Sequence, residues 1–266
     1  MSTPGIPTTV ADIKARLSRA DEEEFRALER ALAADPRKGV RHAVEVARRR
    51  LEAERAEEAR LASLYEVEER WGGVRAVVGL DEVGRGPVAG PLTVGAVVLP
   101  PEPRIAGLND SKQVSPARRE EIASLVKEVA LAWAVEHVPP AEIDERGMAR
   151  CLRAAFARAV ADVEAQGARV RTVLLDGNPL HLDPREVNVV KGDATCASIA
   201  AASIVAKVER DALMTAWARE YPAYGFDQNK GYASAEHIAA IKEHGLCPLH
   251  RATFCTAWTQ VQESLF

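Results

Sequence analysis

The stretch Ala76-Val77-Val78-Gly79-Leu80-Asp81-Glu82-Val83-Gly84-Arg85-Gly86-Pro87 sets two adjacent carboxylates at the end of an apolar run of strand length, then breaks at glycine and proline. Charge at a buried strand end needs compensation, because an unpaired carboxylate in the interior is strongly unfavourable. The compensation is a metal ion, a basic partner, or placement at the wet edge of a sheet. Gly84-Arg85-Gly86 follows at once and frees backbone N–H groups for an anion, so the stretch points to a metal-and-phosphate site. A solvated strand end is the plainer alternative.

Around this stretch the chain has 266 residues, 47% of them apolar and 28% charged, enough for one large core or a core with an appendage. The longest apolar runs, Val94 to Leu99 and Ile199 to Ala206, are far short of the roughly 20 residues that span a bilayer, and no basic segment followed by an apolar core marks a signal peptide. Cys151, Cys196, Cys247 and Cys255 form no C-x-x-C pair and no zinc spacing with the six histidines, which fits a reducing cytoplasm. The net charge of -4 argues against a globally basic nucleic-acid binder and leaves room for a local basic groove.

Residues 1–72 form a charged helical extension: the first 70 residues hold 14 Lys or Arg and 15 Asp or Glu. Thr9-Val10-Ala11-Asp12 resembles a capping box, while Val10, Ile13 and Leu17, then Phe25, Leu28 and Leu32, recur on helical faces. Asp35-Pro36 suggests a new helix start opening a long charged helix towards Glu69. Acids flank Arg48-Arg49-Arg50 on both sides, which predicts a solvated helix face rather than a phosphate patch.

From Arg75 the texture changes. Strands are expected at 75–81, 92–99, 130–137, 171–176 and 187–190, with helices near 116–128, 141–166, 196–220 and 234–244 and a C-terminal helical stretch. The first three strands suggest an antiparallel group and the alternation after them implies parallel crossovers, giving a mixed α/β sheet. Residues 221–232 read as a surface loop in which aromatics stand beside lysines; taken alone, packing explains them better than base or sugar stacking.

Three predicted strands end in acid: Asp81-Glu82, Asp176 and Asp193. Ligands of α/β sheets collect beyond the carboxyl ends of strands, so these acids can converge although distant in sequence. Oxygen-only donors select Mg²⁺ or Mn²⁺, and four acids around two ions about 4 Å apart suit in-line hydrolysis at phosphorus. Gly84-Arg85-Gly86-Pro87-Val88-Ala89 also fits a dinucleotide fingerprint, but no helix opens at its glycines and the neighbouring carboxylates repel a pyrophosphate. No Gly-x-Ser-x-Gly elbow marks a serine nucleophile.

These residues carry a family resemblance. Gly79–Gly86, Leu108-Asn109-Asp110-Ser111-Lys112, Leu175-Asp176-Gly177-Asn178, Lys191-Gly192-Asp193, Ser198–Val208, Lys230-Gly231-Tyr232 and His250-Arg251 resemble, in order, the blocks of ribonuclease HII, over about residues 75–254. Asp35–Val40 resembles an extension of some bacterial members. The resemblance implies a ribonuclease H-like mixed sheet flanked by helices for residues 73–266, with a C-terminal helical region. It implies Mg²⁺- or Mn²⁺-dependent endonucleolytic cleavage of RNA hybridised to DNA, and on the 5′ side of ribonucleotides embedded in duplex DNA. The ends left are 3′-hydroxyl and 5′-phosphate, and the cut starts ribonucleotide removal from the genome. By the same resemblance Asp81, Glu82, Asp176 and Asp193 hold metal, Gly84, Arg85 and Gly86 contact the 2′-hydroxyl, and Tyr232 packs on the neighbouring sugar.

Lys112, in a polar loop, is expected at a phosphate. His250 and Arg251 suit either a buried hydrogen-bonding role or substrate contact. On the helix after Asp193, packing and ion pairing are expected of Ser198, Ser203, Lys207 and Asp211. Gln262-Glu263-Ser264-Leu265-Phe266 resembles the peptide by which bacterial replication proteins grip the sliding clamp, with Glu263 where that motif prefers Leu. Two other classes stay open on the residues alone: another ribonuclease H-like nuclease such as a resolvase, and a binding module without catalysis, against which the clustered acids argue.

Overall fold

The computed structural model describes residues 9–181 and 183–259. The chain divides into two compact units, one ending at Arg60 and the other beginning at Leu61.

In the first unit Thr9 opens α1 (Val10–Leu17) by accepting the Asp12 N–H, and Asp21 opens α2 (Glu22–Leu32) by accepting the Glu24 N–H. Each cap satisfies an amide that a helix start leaves without an intrahelical partner. The helical spacing of apolar residues then gathers Ile13, Leu17, Phe25, Leu28 and Leu32 into one core with Val40, Ala43, Ala47 and Leu51 of α3 (Lys38–Arg70). Arg48 pairs with Glu29 and Glu45, Arg49 with Glu45, and Arg50 with Glu54, so the triple arginine is a salt-bridged helix face.

The second unit begins with residues 61–70 of α3 and continues through β1 (Val77–Val83), β2 (Leu92–Val98), α4 (Pro116–Val129), β3 (Ala132–Val138), α5 (Pro140–Arg146) and α6 (Met148–Ala165). It is completed by β4 (Thr172–Asp176), β5 (Glu186–Val189), α7 (Gly192–Thr195), α8 (Ala197–Glu220), α9 (Phe226–Asn229), α10 (Ala235–His244) and α11 (Thr256–Thr259). The sheet order is β3-β2-β1-β4-β5. β1 pairs antiparallel with β2 and β2 with β3, whereas β1, β4 and β5 run parallel, which is the expected mixed sheet.

Alternation along β1 sends Val78 and Leu80 into a core with Phe156 and Val163 of α6. Gly79 has the opposite parity and faces α8. A Cβ on Gly79 would stand 2.2 Å from the Ser198 carbonyl carbon, and one on Gly95 of β2 only 2.5 Å from the Ala202 oxygen. Glycine at both positions is what lets α8 lie directly on the sheet. The start of α8 is fixed by Glu68 of α3, which is fully buried and accepts the Ser198 N–H at 2.7 Å and the Cys196 thiol at 3.2 Å.

Two expectations need correction. The helix predicted over 141–166 is two helices, because Gly147 at φ +78° breaks it between α5 and α6. Asp193 does not end a strand: Lys191 turns into the left-handed region at φ +56°, and Asp193 sits on the single turn of α7. The C-terminal stretch is helical among the described residues, in the single turn Ala252–Phe254 and in α11, and the peptide Gln262–Phe266 lies outside them. Among the described residues no helix is long and apolar enough to cross a membrane.

Candidate active site

Four acids collect at the carboxyl ends of the parallel strands. Asp81 and Glu82 lie within the last three residues of β1, Asp176 ends the neighbouring parallel strand β4, and α7 carries Asp193 past the end of β5. Asp81 is buried, and its Oδ1 accepts the Glu82 N–H at 2.8 Å. The Ser203 hydroxyl of α8 lies near enough to favour the Asp81 carboxylate and contacts the Ser111 hydroxyl at 3.0 Å. Asp176 Oδ1 accepts the Gly192 N–H at 2.7 Å, which ties the end of β4 to the turn that bears Asp193. Glu82 Oε1 receives Arg85 Nη1 at 3.1 Å, and Asp193 Oδ2 lies 3.3 Å from Lys112 Nζ.

The electrostatics of the group are those of anions short of positive charge. Burial pushes the Asp81 carboxyl up to about 8, against the Ser203 hydrogen bond, and the charges of Glu82 and Asp176 push the same way. Glu82 is raised by burial, which Arg85 opposes and Asp176 reinforces. Asp176 is raised by burial and then by Asp193, against the Gly192 amide. Among the described residues no three His, Cys, Asp or Glu side chains already enclose a point that would hold a metal ion. Each of the four acids is instead engaged by a protein donor, with the Lys112 ammonium as the cation beside Asp193. A set of hard oxygen donors, unbalanced in charge, fits a divalent cation of the magnesium type.

Next to Glu82 the chain forms a loop whose apex is exposed and whose flanks are buried. Arg85 and Gly86 face solvent while Gly84 and residues 87–90 are covered. Gly84 needs to be glycine for the fold: its φ is +88°, and a Cβ would stand 2.4 Å from Arg210 Nε. Gly86 is outside the left-handed region, and its Cβ would meet only Tyr232 Cε1, at 3.8 Å. The fold does not require glycine at 86. Tyr232, half exposed, therefore stands across a small gap from Gly86, while Tyr224 and Phe226 of the same segment are buried and stack at 5.5 Å. The packing reading of this segment holds for those two rings and not for Tyr232.

Beneath the apex lie two fully buried arginines. All five guanidinium N–H donors of Arg251 go to backbone carbonyls: Gly84 at 2.6 Å, Arg85 at 3.1 Å, Pro87 at 2.8 Å, and Gly90 at 2.9 and 3.1 Å. Arg210 donates to Pro91, Lys230 and Ala89. His250 is also buried, its Nε2 3.1 Å from His237 Nε2, whose Nδ1 is 2.8 Å from the Tyr232 carbonyl. His250 and Arg251 thus take the hydrogen-bonding role. Lys207 and Asp211 pair at 2.7 Å as expected, whereas Ser203 does more than pack, because it reaches Asp81. Arg210 escaped the sequence reading; its signal is one arginine following the buried run Ala197–Ala206 at helical spacing.

The sequence matches the ribonuclease HII family over residues 78–257 and the ribonuclease HII N-terminal domain over residues 9–72. The chain belongs to the ribonuclease HII family. It is a hydrolase, an endoribonuclease of the ribonuclease H type acting on RNA paired with DNA, and not a resolvase or a binding module without catalysis. Ribonuclease HII of Levilactobacillus brevis is 42% identical over 224 residues, 84% of this chain and 86% of that protein. The ribonuclease H2 structure from Pyrococcus horikoshii superposes with a TM-score of 0.59 at 28% identity, covering 68% of this chain and 96% of that one. The ribonuclease HII in a PCNA complex from Archaeoglobus fulgidus gives 0.60 at 27%, covering 71% and 100%. A Bst ribonuclease HIII structure in complex with Mn²⁺, at 20% identity, a TM-score of 0.54 and 66% of each chain, shares the fold.

Proposed function

We propose that this ribonuclease HII family member cuts the RNA strand of RNA–DNA hybrids and the 5′ side of ribonucleotides embedded in duplex DNA. The products carry 3′-hydroxyl and 5′-phosphate ends, and the cut begins removal of misincorporated ribonucleotides. The observation that carries this reading is the bond between Glu82 and Arg85, which joins a cluster of four acids to a loop apex whose Arg85 and Gly86 N–H groups have no protein acceptor among the described residues.

Asp81, Glu82, Asp176 and Asp193 are the residues that would hold Mg²⁺ or Mn²⁺. When bound, a pair of such ions supplies the charge that activates water and steadies the leaving oxygen. The protein's own groups do the rest. Burial holds the Asp81 carboxyl up at about 8, and a cation held beside it would favour the carboxylate. Lys112, largely exposed, leaves Asp193 for a substrate phosphate. The Arg85 and Gly86 amides donate to the ribose 2′-oxygen, Gly86 gives the sugar room, and Tyr232 packs on the neighbouring sugar. The functional division falls at 72/73, a helical extension followed by the catalytic domain, supported by the two family matches ending at 72 and beginning at 78. Action in the cytoplasm suits four unpaired thiols.

The test is cleavage of duplex DNA with one embedded ribonucleotide against an all-DNA duplex, with and without Mg²⁺. Cleavage of both duplexes, or of neither, overturns the reading. A sliding clamp is the second partner in this reading, gripped by Gln262–Phe266. Support comes from the sequence of that peptide and from the ribonuclease HII of Archaeoglobus fulgidus having been captured with PCNA. Equal clamp affinity with and without residues 262–266 removes it.

A further inference from the structure

We infer that Arg251 is the positioning residue for sugar discrimination: its guanidinium draws the carbonyls of Gly84, Arg85, Pro87 and Gly90 inward and thereby holds the Arg85 and Gly86 amides outward. This rests on the reading of Gly84-Arg85-Gly86 as the ribose contact. An amide and the carbonyl of the preceding residue share one plane and point in opposite directions. Pinning the Gly84 and Arg85 oxygens therefore aims the N–H groups of Arg85 and Gly86.

Five donors saturated by four carbonyls leave the guanidinium one way to sit, and no carboxylate is bonded to it among the described residues. Its position is set from behind as well. Asp144 of α5 accepts the Ala252 N–H at 2.7 Å and the Thr253 N–H at 3.1 Å, the Arg251 N–H donates to Val88 at 2.8 Å, and the Phe254 ring lies 5.3 Å from the guanidinium carbon. Arg210 ties the far side of the same loop to the Lys230 carbonyl, two residues before Tyr232. The two proposed sugar contacts are thus registered against each other through buried arginine. Lysine has three donors on one nitrogen and cannot reach four carbonyls in a fork, so it cannot replace Arg251 in this role.

The test measures Kd for a duplex with one ribonucleotide and for the all-DNA duplex, in R251K, G86A and the core variant Phe156→Leu. The Phe156→Leu protein serves as a control for lost stability, since Phe156 lies in the core between α6 and the sheet. All proteins are assayed below their melting transitions. R251K is expected to lower the preference for the ribonucleotide duplex about tenfold, while the Phe156→Leu protein keeps it at a comparable loss in Tm. If R251K does not fold, D144N is the milder variant and is expected to lower the preference in the same direction. An unchanged preference in the folded Arg251 or Asp144 variant, with G86A losing it, overturns the role of Arg251 and leaves the ribose contact standing. An unchanged preference in G86A removes the ribose contact itself.

Discussion

Lys112 Nζ stands 3.3 Å from Asp193 Oδ2 and 3.9 Å from Asp110 Oδ1, although 80% of the lysine side chain is exposed. An exposed pair of this kind contributes little stability, because water screens it. Its importance is competition: the ammonium sits beside an acid assigned above to a divalent cation. Replacing Lys112 by Met is therefore expected to raise the affinity for Mn²⁺ by up to about fivefold, while KM for the ribonucleotide duplex rises because a phosphate contact is gone. Calorimetric Mn²⁺ titration and steady-state kinetics read the two effects separately. A fall in Mn²⁺ affinity would show that Lys112 supports the acids rather than competing for them.

The buried carboxyl of Asp81 opposes folding over a definable pH interval. An unfolded aspartate releases its proton near 3.8 and the folded one near 8, so between these values the folded state binds more protons and stability falls as pH rises. Asp81→Asn removes that dependence. Without divalent cations the variant should melt higher than the parent, by an amount that grows between about pH 5 and about pH 8, and it should have no cleavage activity at any of these pH values. Equal melting curves at about pH 8 would show that Asp81 is not protonated in the folded protein.

Much of the architecture could be seen in the residues, and the exceptions have physical causes. Asp81 and Asp176 were legible because strand alternation and a terminal acid leave a local trace. Asp193 was legible as a residue but not as an element, since the left-handed turn at Lys191 is made by a lysine and nothing in Val187–Asp193 announces it. Gly147 was invisible as a break because one glycine in a helical pattern costs only about 1 kcal/mol relative to alanine and is often tolerated. Arg210 and Arg251 are further from reach. All but one of their partners are carbonyls more than a hundred residues away, and a carbonyl leaves no mark in a sequence.

Gly84 and Gly86 are the same residue type with opposite requirements, and alanine separates them. At Gly84 the methyl group meets a positive φ, a penalty of about 1–2 kcal/mol, and collides with Arg210. Gly84→Ala should lower Tm by several degrees. At Gly86 the methyl enters open space beside Tyr232, so Tm should change by no more than about 1 °C, while kcat/KM on the ribonucleotide duplex falls at least about tenfold. Differential scanning calorimetry and kinetics on both variants decide this. An active Gly86→Ala enzyme would mean that no ligand comes close to that position.

His250 and His237 share one proton between facing nitrogens, and this gives the fold an acid limit. His237 Nδ1 donates to the Tyr232 carbonyl, which leaves its Nε2 as acceptor for His250 Nε2–H, and His250 Nδ1 accepts the Cys247 N–H at 3.0 Å. Both rings are neutral in this chain. Burial holds His250 down at about 4, with the neighbouring His237 acting in the same direction, and burial also lowers His237. An unfolded histidine takes up its proton near 6.5, so between 6.5 and about 4 the unfolded state binds more protons and stability is lost as pH falls. Glutamine at 250 can donate to His237 but does not titrate. The drop in Tm between about pH 6.5 and about pH 4.5 should therefore be smaller in His250→Gln than in the parent. An equal drop would assign the acid sensitivity to the carboxylates, and a protonated His250 signal by NMR at neutral pH would contradict the hydrogen-bond chain itself.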